Sequence, residues 1–287
     1  MTQIAHWTGA LPVLSTETVF QPEDNPYTTV IADVTHRCNM ACNNCYLPNR
    51  TPPDMDAEWL RDILLRLPRR AHVRLVGAEP TVRKDLPELI AMVRDAGHLP
   101  ILLTNGLKIA DRDYLRTLME AGLRTCYLSF SGGFDDDLYE AIDNQRCADK
   151  KAAALDNLIA ERAYVSLGTI LMRGVNESVV EAVARRIRGE RQVREYHLRS
   201  VGPMGRYVPE ERPYRFEEML ELARRSFGEV TGMREEETST CMHGKVGRLK
   251  VQITQWPDLG SGERGRICPD GTIQPWFEHQ IANDGGY

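Results

Sequence analysis

The stretch Thr28-Thr29-Val30-Ile31-Ala32-Asp33-Val34 runs through Thr35-His36-Arg37 into Cys38-Asn39-Met40-Ala41-Cys42-Asn43-Asn44-Cys45-Tyr46. Its first half is apolar and rich in β-branched residues, which predicts a strand. Its second half carries three thiols within eight residues, at spacings of four and three. A loop can bend such a run until all three sulfurs converge on one point. Three thiolates are one short of the usual complement of an iron–sulfur cluster, so a cluster held this way keeps one iron open to a non-protein ligand. A three-cysteine zinc site and simply packed thiols are the alternatives. Zinc usually takes four protein ligands, often as two C-x-x-C-like pairs. No second pair follows, and no His stands at metal spacing nearby.

Outward from this stretch, the pattern repeats. Leu60, Ile63, Leu64 and Leu67 recur at helical spacing after Pro52 and Pro53, which block an earlier helix start. Strands are expected at 72–76, 100–103, 126–130, 165–171 and 195–201. Helices are expected around Leu86–Val93, closed by Gly97, around Leu115–Met119, over 136–163, over 177–188 and from Phe216. Six strands alternating with helices predict a parallel sheet with right-handed crossovers. Its short apolar strands suit a sheet covered on both faces. An open doubly wound sheet and a partial barrel both satisfy this order. Polar and Gly-rich residues follow nearly every strand, which is where α/β barrels keep their active sites.

Those loops are Gly77-Ala78-Glu79-Pro80-Thr81, Thr104-Asn105-Gly106, Ser129 with Ser131 and Gly132-Gly133, Arg173-Gly174 with Asn176, and Arg199-Ser200 followed by Gly202-Pro203-Met204-Gly205. Gly permits close backbone approach and Pro fixes a turn, so the first loop can grip an ammonium or a carboxylate, or serve as an ordinary βα turn.

The chain has 287 residues and a formal net charge of -5 with both signs interspersed. It can bury a sizeable core and lacks the basic footprint of a nucleic-acid binder. No apolar run reaches membrane-spanning length. The N-terminus lacks a signal peptide's basic start and apolar core, so a cytoplasmic location is expected, where thiols stay reduced.

The Cys38/Cys42/Cys45 motif placed after a first strand resembles that of the radical S-adenosylmethionine (SAM) enzymes. Gly77-Ala78-Glu79-Pro80 is similar to that family's Gly-Gly-Glu-Pro motif, with Ala for the second Gly. The likeness runs from about residue 28 to 205. It is closest to the branch holding the GTP cyclase of molybdenum-cofactor synthesis and the peptide-modifying enzymes of SPASM/twitch type. Val73-Arg74-Leu75-Val76, Leu103-Thr104-Asn105-Gly106 and Met172-Arg173-Gly174-Val175-Asn176-Glu177 carry the likeness to that branch. The resemblance favours an α/β fold with a partial (β/α)6 TIM-type barrel over 28–227. Pro12, Pro22 and Pro26 with little periodicity read as an N-terminal arm over 1–27. The strand-like alternation of 248–254 with the turn signal Pro269-Asp270-Gly271-Thr272 reads as a small β-containing C-terminal cap over 228–287. The resemblance implies one 4Fe–4S cluster on Cys38, Cys42 and Cys45, with SAM chelating the fourth iron. One electron then cleaves SAM to methionine and a 5′-deoxyadenosyl radical, which abstracts hydrogen from a substrate. By matching position, the Gly77–Pro80 turn meets the methionine amino group, Ser129 contacts SAM and Val201 lies near the adenine. Asn44, Tyr46, Thr104, Ser131 and Arg173 are further cofactor-site candidates. The implied partners are a small molecule or short peptide as substrate and an electron donor such as flavodoxin or ferredoxin, with no nucleic acid and no membrane.

The chain departs from this pattern in places. Asn44 precedes the third cysteine where many members carry an aromatic residue. Ile31 and Ser166 occupy positions matched to GTP-binding basic residues of the cyclase. The tail offers only Cys241 and Cys268, with Trp276 where relatives carry a further Cys, which is too few for an ordinary second cluster. Cys241 and Cys268 are either packed thiols or hydrogen-atom donors to a substrate radical. Cys126 and Cys147 are expected to be structural, and His197 and His36 to be satisfied core histidines. A SAM-dependent methylase on a cluster scaffold and a non-catalytic metal-binding regulatory module are the competing functions.

Overall fold

The computed structural model describes residues 19–45, 47, 50–202, 211–235, 241–256 and 264–275. Six βα units come first. Strand β1 is Thr29–Thr35, α1 Ala57–Arg66, β2 His72–Gly77, α2 Leu86–Asp95, β3 Leu99–Thr104, α3 Arg112–Ala121 and β4 Thr125–Ser129. Two helices follow, α4 Asp136–Asp143 and α5 Ala148–Ala160. Then come β5 Tyr164–Leu171, α6 Ser178–Ile187, β6 Val193–Ser200 and α7 Phe216–Phe227. The tail adds β7 Thr231–Glu235, β8 Cys241–Val246, β9 Leu249–Thr254, β10 Arg264–Ile267 and β11 Ile273–Pro275.

Local chemistry sets the helix ends. Asp56 caps α1, its carboxylate accepting from the Trp59 amide at 2.8 Å, and Asp111 caps α3 in the same way through Asp113 and Tyr114. Such caps satisfy amides that have no partner within the helix. Gly122 ends α3 at φ 121°, a conformation that favours glycine.

The sheet order is β11-β10-β1-β2-β3-β4-β5-β6-β9-β8-β7, with β1 to β6 parallel throughout. Six parallel strands in unbroken chain order have no point at which the winding reverses. All their crossovers therefore lie on one face, as in a barrel wall and unlike a doubly wound sheet. The fold is a partial (β/α)6 barrel. Tail strand β10 joins β1 in parallel and β9 joins β6 in parallel, so the tail borders the opening on both sides.

The strand residues divide by parity. Val30, Ala32 and Val34, Val73 and Leu75, Cys126 and Leu128, Val165 and Leu167, and Tyr196 and Leu198 share one continuous core with the helix residues Leu60, Leu89, Ile90, Leu115 and Val183. The alternate residues face the concave side, because successive side chains of a strand point to opposite faces. Truncating a fully buried member such as Leu89 costs about 2–5 kcal/mol. Among the described residues no helix is long and apolar enough to cross a membrane.

Candidate active site

The mouth of the concave side is made by loops that bind one another. The cysteine loop leaves β1 and is held from two directions. On one side the Asn43 amide donates to the Ile142 carbonyl at 2.9 Å, and the Asn144 side chain donates to the Ala41 carbonyl at 2.8 Å. Met40 packs in a small cluster with Tyr139, Cys147 and Ala148. On the other side the turn after β2 donates back. Ala78 N reaches the Thr35 carbonyl at 2.8 Å and Glu79 N the Arg37 carbonyl at 3.1 Å. Gly77 makes this approach possible. Its φ is +117°, and a Cβ there would lie 2.1 Å from the Thr35 carbonyl oxygen.

Glu79 ties the same turn to the loop after β3. Its buried carboxylate accepts from Thr81 N at 3.1 Å, Thr81 Oγ1 at 2.6 Å, Thr104 Oγ1 at 2.7 Å and Asn105 N at 2.6 Å. Beneath it the buried Arg83 guanidinium donates to the Val34 and Met55 carbonyls, each at 2.7 Å, and pairs with Asp85 at 2.6 Å. Thr104, expected at the cofactor, thus spends its hydroxyl proton on Glu79. The Ala78 and Glu79 amides are spent on the cysteine loop and Pro80 has none, so what the turn can offer a ligand is carbonyl oxygen, which only accepts.

The three thiols line one pocket together with Asn44, Gly77, Ala78, Glu79, Thr104, Ser129, Ser131 and Val201. All three are free and half-buried. The Arg50 guanidinium donates to Cys45 Sγ at 2.8 Å. Burial pushes the Cys42 thiol up, reinforced by the Asp143 carboxylate beside it; burial likewise raises Cys38. Such thiols wait for a metal to take their protons. Among the described residues no three His, Cys, Asp or Glu side chains gather where one ion would sit, so the expected convergence on one point is not seen. A cubane does not require it, because each thiolate meets its own iron. A wall bearing three thiols, beside a turn presenting carbonyl oxygens, fits a cluster with a bound amino acid moiety. Lys151 is buried nearby, donating to the Ser129 carbonyl at 3.1 Å, 4.0 Å from Asp143.

Several candidate residues lie elsewhere. Pro80 is buried and opens a short 3₁₀ turn. Ser131 lines the pocket, but its hydroxyl accepts from Ile170 N at 3.1 Å. Arg173 points away from the pocket: it pairs with Glu218 at 2.9 Å and stacks on Tyr214 with 4.0 Å to the ring centroid. Cys241 is buried on β8 and accepts from Gln252 at 3.1 Å and Thr254 at 3.4 Å. Cys268 lies in the turn between β10 and β11, with its thiol on the Arg266 carbonyl at 3.7 Å. Neither thiol lines the pocket. Tyr46 and Trp276 lie outside the described residues.

Below the mouth the concave face carries Ile31 and Asp33 from β1, Arg74 from β2, Tyr127 from β4, Gly168 from β5, His197 and Arg199 from β6, and Arg264 from β10. Gly168 makes room for Tyr127, whose hydroxyl would lie 1.8 Å from a Cβ there. His197 Nε2 meets Thr254 Oγ1 at 2.7 Å. Burial, then the charges of Arg199, Arg264 and Arg74, hold this imidazole well below its usual value and hence neutral. Sequence reasoning passed over Asp33, Arg74, Tyr127, Lys151 and Arg264. The available signal was period-two polarity inside apolar strands, as in His72-Val73-Arg74-Leu75-Val76 and Tyr196-His197-Leu198-Arg199.

A model of the Radical SAM superfamily matches residues 33–187, more than half of the chain. The chain belongs to this superfamily, whose cofactors are a 4Fe–4S cluster and SAM. It is 36% identical over 170 residues to a 7,8-dihydro-6-hydroxymethylpterin dimethyltransferase of Methanocaldococcus jannaschii, covering 55% of this chain and 33% of that protein. It is 32% identical over 166 residues to a GTP 3′,8-cyclase of Acidothermus cellulolyticus, covering 53% of this chain and 45% of that protein. The chain thus spans less than half the length of either. Streptococcus suis SuiB bound to S-adenosylmethionine shares the fold at a TM-score of 0.63 and 13% identity, over 87% of this chain and 60% of SuiB.

Proposed function

We propose that this chain is a radical SAM enzyme that cleaves S-adenosylmethionine reductively and uses the resulting radical to abstract hydrogen from a small molecule or short peptide. The observation that carries this reading is the placement of Cys38, Cys42 and Cys45 on one pocket wall, in a loop bonded directly to the Gly77–Glu79 turn. When bound, the cluster and SAM supply the electron and the 5′-deoxyadenosyl radical.

The chain's own residues hold and exclude. Cys38, Cys42 and Cys45 would hold the cluster through three thiolates, with room beside them for SAM. Carbonyl oxygens of the Gly77–Pro80 turn accept from the methionine ammonium, and Glu79 keeps that turn in place. Ser129 is exposed to the pocket and offers its hydroxyl to SAM. Val201, packed on Trp256 and Met172, gives the adenine an apolar wall. Asn44, which precedes Cys45 and lines the pocket, completes the cofactor side. The electron comes from a flavodoxin or ferredoxin, and the reaction runs in the cytoplasm, where thiols stay reduced.

Anaerobic reconstitution should give about four irons per chain, and dithionite with SAM should yield 5′-deoxyadenosine. Cys42→Ala should lose both; cleavage retained in that variant refutes the reading. S-adenosylhomocysteine as the product in place of 5′-deoxyadenosine would assign methyl transfer instead.

A further inference from the structure

The pocket's floor holds cations where an apolar fold would place none. Arg74, Arg199 and Arg264 come from three different strands and line the same concave surface. The Arg74 Nε is buried and finds no hydrogen-bond partner among the described residues. Burial, then the nearby charge of Arg264, pushes the Arg74 guanidinium below its ordinary value. The charge of Glu195 offsets only part of this, and its carboxylate also lies 3.6 Å from Lys250. Asp33 pairs with Arg266 through Oδ2 at 2.7 Å, and its buried Oδ1 finds no hydrogen-bond partner among the described residues. A buried cation lacking a full set of partners costs several kcal/mol, and removing its charge by titration is not open to arginine. Such a group is retained where a ligand completes it. A guanidinium fork matches the two oxygens of a carboxylate or phosphate.

We infer that the substrate is an anion whose carboxylate or phosphate group is bound at the barrel floor by Arg74, with Arg199 and Arg264 beside it. This rests on the reading above, since it takes the mouth of the same pocket to be filled by SAM. The anchor sits at the strand level and the cofactor at the loop level. The substrate is thereby gripped at its charged end, and the C–H bond to be attacked is presented upward. The neutral His197 and the Tyr127 hydroxyl flank this floor and can meet further polar groups of the substrate without adding charge.

The test uses the full chain, anaerobically reconstituted and saturated with SAM, titrated calorimetrically at low ionic strength with three probes: orthophosphate, malonate and neutral malonamide. At least one anion should bind about tenfold or more tighter than malonamide, the worth of a charged hydrogen bond. The better of the two names the group as phosphate or carboxylate. Arg74→Met should erase the preference, and Arg74→Lys should restore part of it. The inference is overturned if the wild type prefers neither anion, or if Arg74→Met keeps the full preference and so locates the anion elsewhere. The 5′-deoxyadenosine yield of the same wild-type samples separates the two readings. Cleavage without anion preference sinks the substrate class alone; anion preference without cleavage sinks the radical chemistry and leaves the anion site standing.

Discussion

At the mouth of the pocket, loops are tied to loops. The cysteine loop receives amides from the turn after β2 and gives one to the end of α4, while Glu79 ties that turn to the loop after β3. At the floor, groups reach inward from separate strands, and Arg74 leaves a buried nitrogen unmatched. The mouth is tied loop to loop within the protein, although Arg50 Nη1 and the Tyr139 hydroxyl are buried there without a hydrogen-bond partner among the described residues. The floor keeps a buried cation, Arg74, whose Nε has no partner among the described residues. The difference teaches which part is rigid scaffold for a fixed cofactor and which part was shaped by the substrate.

The mouth should therefore be the fragile half of the protein. Gly77→Ala forces a Cβ into the Thr35 carbonyl oxygen at a φ of +117°. Backbone strain and a lost loop–loop bond together should cost about 3 kcal/mol, read from urea unfolding of the chain before reconstitution. Iron loading should fall with it. A cost near zero would mean that the turn and the cysteine loop are only loosely joined, and the contrast with the floor would disappear.

Glu79→Gln tests the second tie. All the contacts at the Glu79 carboxylate come from donors, three at Oε1 and one at Oε2, and an amide turns its NH₂ toward one of these sets. Two donors facing each other in a buried site should cost about 2 kcal/mol, with weaker SAM binding in equilibrium dialysis. Unchanged stability would show that backbone contacts alone hold the turn.

The floor should respond in the opposite sense. Replacing a buried, incompletely paired cation by an apolar side chain of similar length is often neutral or stabilising. Arg74→Met should leave stability within about 1 kcal/mol of wild type or raise it, measured by the same unfolding curves without added anions. A loss as large as that of Gly77→Ala would make Arg74 a structural pillar, and mouth and floor would then be alike.

This asymmetry also explains what could be read from residues alone. The mouth is built by short, contiguous runs, so Cys38-Asn39-Met40-Ala41-Cys42-Asn43-Asn44-Cys45 and Gly77-Ala78-Glu79-Pro80 announced themselves. The six strands were legible because alternation and βα spacing are local, and β2, β3 and β5 fall within a residue or two of their expected bounds. The floor is non-local. Arg74, Arg199 and Arg264 are far apart in sequence and meet only through strand order and parity. Arg199 was legible at the end of its strand, but reading the strands as uniformly apolar hid Arg74 and Arg264. The position of the tail was equally hidden, because pairing of β9 with β6 and β10 with β1 leaves no trace in either segment alone. Arg173 misled for the converse reason. Its motif is local, but Glu218 and Tyr214, which draw it away, lie some forty residues on.

That Arg173 loop follows β5 and so belongs to the same end of the barrel as the mouth, which raises the question of how far the mouth's rigidity extends around the rim. Glu218 answers it. The Arg212 guanidinium, aided by Arg173, holds its carboxyl down at about 2, against an ordinary value of 4.5. A carboxyl lowered on folding stabilises the protein above its unfolded value, and that contribution fades as pH falls from about 4.5 toward about 2. Its side chain is 31% exposed, so solvent screening limits the effect to about 1 kcal/mol or less. Glu218→Gln should lower stability by that amount at pH 7 and flatten the acid limb between pH 4.5 and 2, with urea midpoints at pH 7 and pH 3 as the measure. If the variant keeps the wild-type slope, the Arg173–Glu218 contact carries no stability and the rigid rim ends at the cysteine loop. A loss several times larger would extend the mouth's mutual bonding around the rim to α7.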